Sequence, residues 1–144
     1  MKLRTMIVIA SMLACFAGTA QDQLDLANIE TVVQNFARFG DQQNADGLDG
    51  ILHPEYRAVV NRLFGSPEAS LMNKATYLQL VRDKKIGGDE RQVFLLSVDV
   101  VNNNASVKAI FEGKQLRFTT FISLIKSEEG KWLVVGDMPD IEEV

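Results

Sequence analysis

The apolar residues Leu26, Ile29, Val32, Val33, Phe36 and Phe39 recur at three- and four-residue steps, with Asn28, Glu30, Gln34 and Arg38 between them. That spacing lays one apolar stripe along a helix over residues 26–39. Gly40 ends it, and Asp41-Gln42-Gln43-Asn44 reads as a loop. A second, short helix is expected from Ala45 to Leu52, with Leu48, Ile51 and Leu52 inward and Pro54 stopping it, because the residue before proline resists helical geometry. Tyr56 to Phe64 carries Tyr56, Val59, Val60 and Phe64 and reads as a strand; Gly65-Ser66-Pro67-Glu68 turns it toward a short partner, Ala69 to Met72. Asn73 is an N-cap for a third helix, Lys74 to Lys85, stopped by Gly87-Gly88.

Beyond that point the period changes from 3.6 to two. Strands are predicted at Val93–Val101, Ala105–Glu112 and Gln115–Lys126, followed by a shorter one at Lys131–Gly136 and an acidic tail ending in Glu142-Glu143 that reads as a solvated end. Asn102-Asn103-Asn104, Gly113-Lys114 and Ser127-Glu128-Glu129-Gly130 supply the turns between them, so neighbouring strands are antiparallel. Helices gathered at the start and a meander at the end define an α+β domain, a curved antiparallel sheet with helices packed on one face.

The first twenty residues follow a different logic. Lys2 and Arg4 precede the mostly apolar run Met6–Phe16, and Ala17-Gly18-Thr19-Ala20 offers small residues for a peptidase, so 1–20 reads as a signal peptide cleaved after Ala20 and 21–144 as a single domain. The uncharged stretch Thr5–Gln21 is 17 residues, against about 20 for a spanning helix, which argues against a retained membrane span. Leu13-Ala14-Cys15 partly resembles a lipoprotein box, and a lipid anchor on Cys15 is the minority reading. The expected location is therefore periplasmic or secreted.

Composition then removes chemistries. Cleavage leaves 13 basic against 19 acidic side chains, a formal −6, which offers no basic field for a phosphate backbone; nucleic acid is not an expected partner. The 124 residues that remain contain no cysteine and one histidine, His53. No disulfide staple, thiol nucleophile, thiolate metal site or multi-histidine metal site can be built from that inventory, and neither metal nor cofactor is expected. Stability must come from the core, and a domain of this size buries roughly two-thirds of its unfolded surface.

Four residues remain as pocket candidates. His53 has the right unperturbed pKa for proton transfer, but a position beside Pro54 at a helix end favours a structural role. Tyr56 either points its hydroxyl at a ligand or buries its ring in the core, with packing favoured. Asp99 shares a strand face with Ser97, opposite Val98 and Val100; the turn just after it favours solvent over a pocket. Thr120 is the one polar residue on the face of Phe118, Ile122 and Leu124, ordinary strand filler unless that face lines a cavity. Trp132 is expected in the core or a dimer seam, and the sequon Asn104-Ala105-Ser106 carries no weight in a periplasm.

The order of elements, with Leu52-His53-Pro54-Glu55-Tyr56 after the second helix and Gly130-Lys131-Trp132-Leu133-Val134-Val135 closing the meander, resembles the nuclear transport factor 2-like superfamily. Val98-Asp99-Val100-Val101-Asn102 and Ala105-Ser106-Val107-Lys108, followed by Phe118–Lys126, resemble its lumazine-binding-like group; the likeness covers Ala27 to about Met138. It implies a cone-shaped sheet around a pocket and a homodimer formed through the outer sheet face. Superfamily members range from isomerases and dehydratases to adaptors and pocket proteins, so fold alone does not choose a function. Thr120-Phe121 stand where the group often carries Asp-Tyr, and Asp137 where a Lys follows the last strand, departures that weigh against catalysis. The first expectation is thus a non-enzymatic, exported pocket protein for a small apolar or aromatic ligand. The second is an isomerase- or dehydratase-type enzyme with Asp99 or His53 as base and Tyr56 or Thr120 as donor, and the third a ligand-free interaction module.

Overall fold

The computed structural model describes residues 16–144, with side chains from Ala20 onward. The chain forms α1 (Phe16–Asp41), α2 (Ala45–Ile51), β1 (Leu52–Asn61), a 3₁₀ turn (Leu63–Gly65), β2 (Ala69–Asn73), α3 (Lys74–Arg82), β3 (Gln92–Val101), β4 (Asn104–Glu112), β5 (Leu116–Lys126) and β6 (Trp132–Glu143). The six strands make one curved, unclosed sheet in the order β2-β1-β6-β5-β4-β3. Neighbours are antiparallel except β1 and β6, which run parallel because the chain passes through β2, α3 and the meander before β6 returns beside β1. The α+β class and the helices-then-meander order follow the sequence pattern. The leader's first fifteen residues, with Cys15, lie outside the described residues, and α1 runs through Ala20 without a break. Among the described residues no helix is long and apolar enough to cross a membrane.

The core lies where α1, α2 and α3 meet the concave face of the sheet. Ile29, Val33 and Phe36 of α1 pack with Leu48, Tyr56 and Val81, and with Val107, Ile122, Leu124, Trp132 and Val134 from the strands. Each such side chain contributes roughly 1.5–3 kcal/mol on burial. The stripe on α1 begins one residue earlier than the apolar pattern predicts: Asp25 is buried, and Leu26 is 41% exposed. Asp25 is kept inside by Lys126 Nζ at 2.8 Å and by the indole N–H of Trp132, which donates across 3.1 Å. These bonds, the lysine's foremost, hold the Asp25 carboxyl below the usual carboxylate range against the opposing effect of burial.

Besides α1, which spans Phe16–Asp41 rather than residues 26–39, four boundaries differ by more than one residue from the sequence reading, each for a local reason. The first strand starts at Leu52 rather than Tyr56, because pairing with β6 slips between Leu52 and Arg57, and Pro54 sits in that irregular stretch, where its missing N–H costs no ladder bond. The strand also stops at Asn61, since Arg62 and Phe64 both take positive φ, 53° and 48°, in the turn that follows. Helix α3 ends at Arg82, three residues early, with Lys84 left-handed at φ 55°. The last strand runs on to Glu143, so the acidic tail is a full partner of β5, with Leu116 opposite Glu143; its Glu side chains stay exposed. That extension places Asp137 inside the sheet.

Candidate functional site

A cavity of about 460 Å³ opens between the concave face and the helices, a size suited to a small organic molecule. Its wall is mostly apolar: Phe36 from α1, Tyr77 from α3, Phe111 from β4 and Phe118 from β5, with Leu63 and Phe64 of the 3₁₀ turn at one side. Alternation explains the strand contributions. Phe118, Thr120 and Ile122 share the inward side of β5, and opposite them on β6 lie Ile141, Pro139 and Asp137.

Two polar side chains therefore meet in an apolar setting. The Thr120 hydroxyl donates to Oδ1 of Asp137. The other carboxylate oxygen receives no hydrogen bond from the described residues. Burial pushes the Asp137 carboxyl up to about 6, although the Thr120 hydrogen bond and the charge of Arg91 act the other way. A carboxyl so placed changes charge near neutral pH, which an exposed aspartate does not.

Tyr56 and Tyr77 form an aromatic group with Phe36; their rings are 5.4 Å apart, and Phe36 stands 6.3 Å from each. Burial, and next the Asp137 charge, raise both phenols well above their ordinary range, so both remain protonated donors. The Tyr56 hydroxyl is buried and has no hydrogen-bond partner among the described residues.

Arg91 also borders the cavity, but its charge is already engaged. Its Nε donates to Asp41 Oδ1 at 2.5 Å, its backbone N–H to Asp41 Oδ2 at 3.0 Å and its Nη2 to the Ala37 carbonyl at 3.0 Å. The guanidinium lies over Phe111 and Phe118, 5.3 and 5.0 Å from their ring centres. Gly40 leaves room for it, since a Cβ there would stand 3.0 Å from Nη2. Arg91 thus serves as a wall, bridging the end of α1 to the sheet.

Of the four residues singled out from sequence, the structure brings Thr120 into the cavity wall and Tyr56 into the aromatic group beside it. His53 lies outside the wall, in the irregular start of β1, where Nδ1 accepts the backbone N–H of Glu55 at 3.1 Å. Asp99 is exposed on the outer face of β3, paired with Ser106. Asp137 was the missed residue. In sequence it follows Gly136, and a strand ending there leaves it in a tail; only the continuing alternation of Pro139 and Ile141 signals that β6 carries on past it. No group of three metal-ligating side chains is assembled among the described residues.

A six-stranded curved sheet on N-terminal helices, with a largely apolar cavity between them, is the NTF2-like fold. Residues 24–138 match the family described as "Putative lumazine-binding", and the chain belongs to that family. Solved structures agree on the fold. An NTF-2 like protein of unknown function from Silicibacter pomeroyi is 16% identical, with a TM-score of 0.73 over 84% of this chain and 98% of that one. An NTF2-like protein of unknown function from Shewanella baltica is also 16% identical, with a TM-score of 0.72 over 83% and 95%. A ketosteroid isomerase-like protein from Erwinia carotovora atroseptica is 11% identical, with a TM-score of 0.65 over 83% and 96%. No curated protein sequence matches the chain.

Proposed function

We propose that this protein binds a small, largely apolar or aromatic molecule in the cavity, with one polar group of the ligand turned toward Asp137 and Thr120. The observation that carries this reading is the composition of the wall, aromatic and aliphatic on most sides with its polar atoms converging at one place. Tyr56 adds a buried hydroxyl without a partner. The neutral fluorophore N-phenyl-1-naphthylamine tests it. Saturable binding at one site per chain is expected, weakened at least tenfold by Ala58→Phe, which adds a ring in the wall beside Asp137. Absence of saturable binding, or binding indifferent to Ala58→Phe in a folded variant, contradicts it.

A second reading, proton transfer in an isomerase- or dehydratase-type reaction, is favoured by one feature: a carboxyl held near 6 beside two protonated phenols. In that reading Asp137 is the base, Tyr56 the donor and Thr120 the group that orients the carboxylate, whereas Asp99 and His53 are not part of the cavity wall. Export after cleavage near Ala20 belongs to the same proposal, supported by the charged start, apolar run and small residues of the leader. So does a homodimer through the outer sheet face. Its support is the exposure of Phe94, Leu96, Phe121 and Met138, all about half exposed on the side opposite Val107, Ala109 and Phe111.

A further inference from the structure

The charges around the cavity do not balance. Arg91 is paired with Asp41, both side chains being nearly buried, and its guanidinium is covered by two rings. Lys85 stands exposed at the mouth, where water screens it. Asp137 has no cation partner among the described residues, and Thr120 satisfies only one of its oxygens. Asp89, also in the wall, accepts the Glu90 N–H with Oδ1 at 2.8 Å, while its Oδ2 is buried with no hydrogen-bond partner. Asp137 therefore faces a space whose inner cation, Arg91, is already paired, while the Asp89 carboxylate is tucked against Gly113. The remaining polar groups near Asp137, the Tyr56 and Tyr77 phenols, carry no charge. The rest of the wall includes the rings of Phe36 and Tyr77, aromatic surfaces of the kind that attract a cation, while Phe111 and Phe118 already hold the Arg91 guanidinium.

We propose that the cavity is selective for organic cations: a protonated amine on a compact apolar or aromatic scaffold, its ammonium N–H groups donating to the free oxygen of Asp137 while rings of the wall take the carbon skeleton. This rests on the ligand-binding reading above and narrows it. A ligand carboxylate or phosphate beside Asp137 would meet a like charge with no cation next to it, Lys85 being exposed to water elsewhere along the wall, so anions are disfavoured at this end of the cavity. A neutral alcohol fits the space but leaves the carboxylate uncompensated.

Three probes that share one ring system separate the outcomes: 2-naphthylmethylamine, 2-naphthylmethanol and 2-naphthoic acid, titrated calorimetrically into the full chain at pH 7.5. The amine is expected to bind about tenfold or more tighter than the alcohol, and the acid weakest of all. Asp137→Asn, nearly isosteric, should remove the amine's advantage over the alcohol, with the circular dichroism spectrum unchanged. Asp89→Asn, further along the wall, provides a second variant that should reduce the preference in part. If the alcohol or the acid binds as well as the amine, or if the amine's advantage survives Asp137→Asn, the cation assignment is overturned while the pocket reading stands. If none of the three binds, both fall together.

Discussion

Asp137 is costly to the fold in its charged state. Its carboxyl titrates at about 6 in the native chain and near 3.8 when unfolded, so the native state holds the proton more tightly. The contribution of Asp137 to folding stability is therefore greatest below pH 4, falls as pH rises through the window from about 4 to 6, and stays reduced above it. A shift of this size corresponds to on the order of 3 kcal/mol. Asp137→Asn should accordingly raise the unfolding free energy at pH 8 by about 1–2 kcal/mol, once the weakened Thr120 hydrogen bond is allowed for, and should bring no gain at pH 4. Urea denaturation at the two pH values checks this; equal effects at both would deny that the carboxyl is desolvated. At the same scale, sequence alone singled out Thr120 and Tyr56, since an isolated hydroxyl on an apolar face and an aromatic in a core strand are visible as breaks in a pattern. Asp137 was not visible, because its meaning depends on which strand lies opposite and on how far β6 extends.

At the level of elements, the Arg91–Asp41 pair fastens the end of α1 to the start of β3. Asp41→Ala would leave a nearly buried guanidinium without its carboxylate, and a loss of about 3–5 kcal/mol is expected. Replacing both partners, as in Asp41→Leu with Arg91→Met, should cost clearly less, because no charge is then stranded. A double-mutant cycle by thermal unfolding measures the difference; additive losses would mean that the pair is not coupled. Elements of regular period were readable in advance: the α1 stripe at Ile29, Val33 and Phe36, the Asn73 cap whose side chain accepts Thr76 N–H, and the antiparallel meander. What was not readable were features set by distant partners. Asp25 enters the core only because Lys126 and Trp132, a hundred residues on, are there to meet it. The β1–β2 turn is likewise shaped by left-handed Arg62 and Phe64, conformations that neither side chain advertises.

For the molecule as a whole, the sheet presents two unlike faces: a concave one that holds core and cavity, and an outer one bearing Phe94, Leu96, Phe121 and Met138. Lys108 lies over Phe121 at 5.7 Å and pairs with Ser97 on its other side. If two copies join through this face, sedimentation velocity should show a dimer, and Phe121→Lys should shift it to monomer without altering cavity binding, since the two faces point opposite ways. A monomer at all concentrations would contradict the dimer. The layered architecture followed from the sequence because helix and strand periods separate cleanly along the chain. The cavity entered only through the family resemblance and its size not at all, since a void is a property of how curvature leaves side chains short of one another rather than of any residue.

The most direct test of the whole account is a carbon-13 titration of the aspartate side-chain carboxyls by nuclear magnetic resonance, with Asp137→Asn used to assign the signal. A midpoint near 6 for Asp137, against an ordinary low one for the exposed acids, is what a desolvated carboxyl in an apolar cavity predicts. A midpoint near 4 would mean that water reaches the group freely, and that the enclosed site described here does not exist.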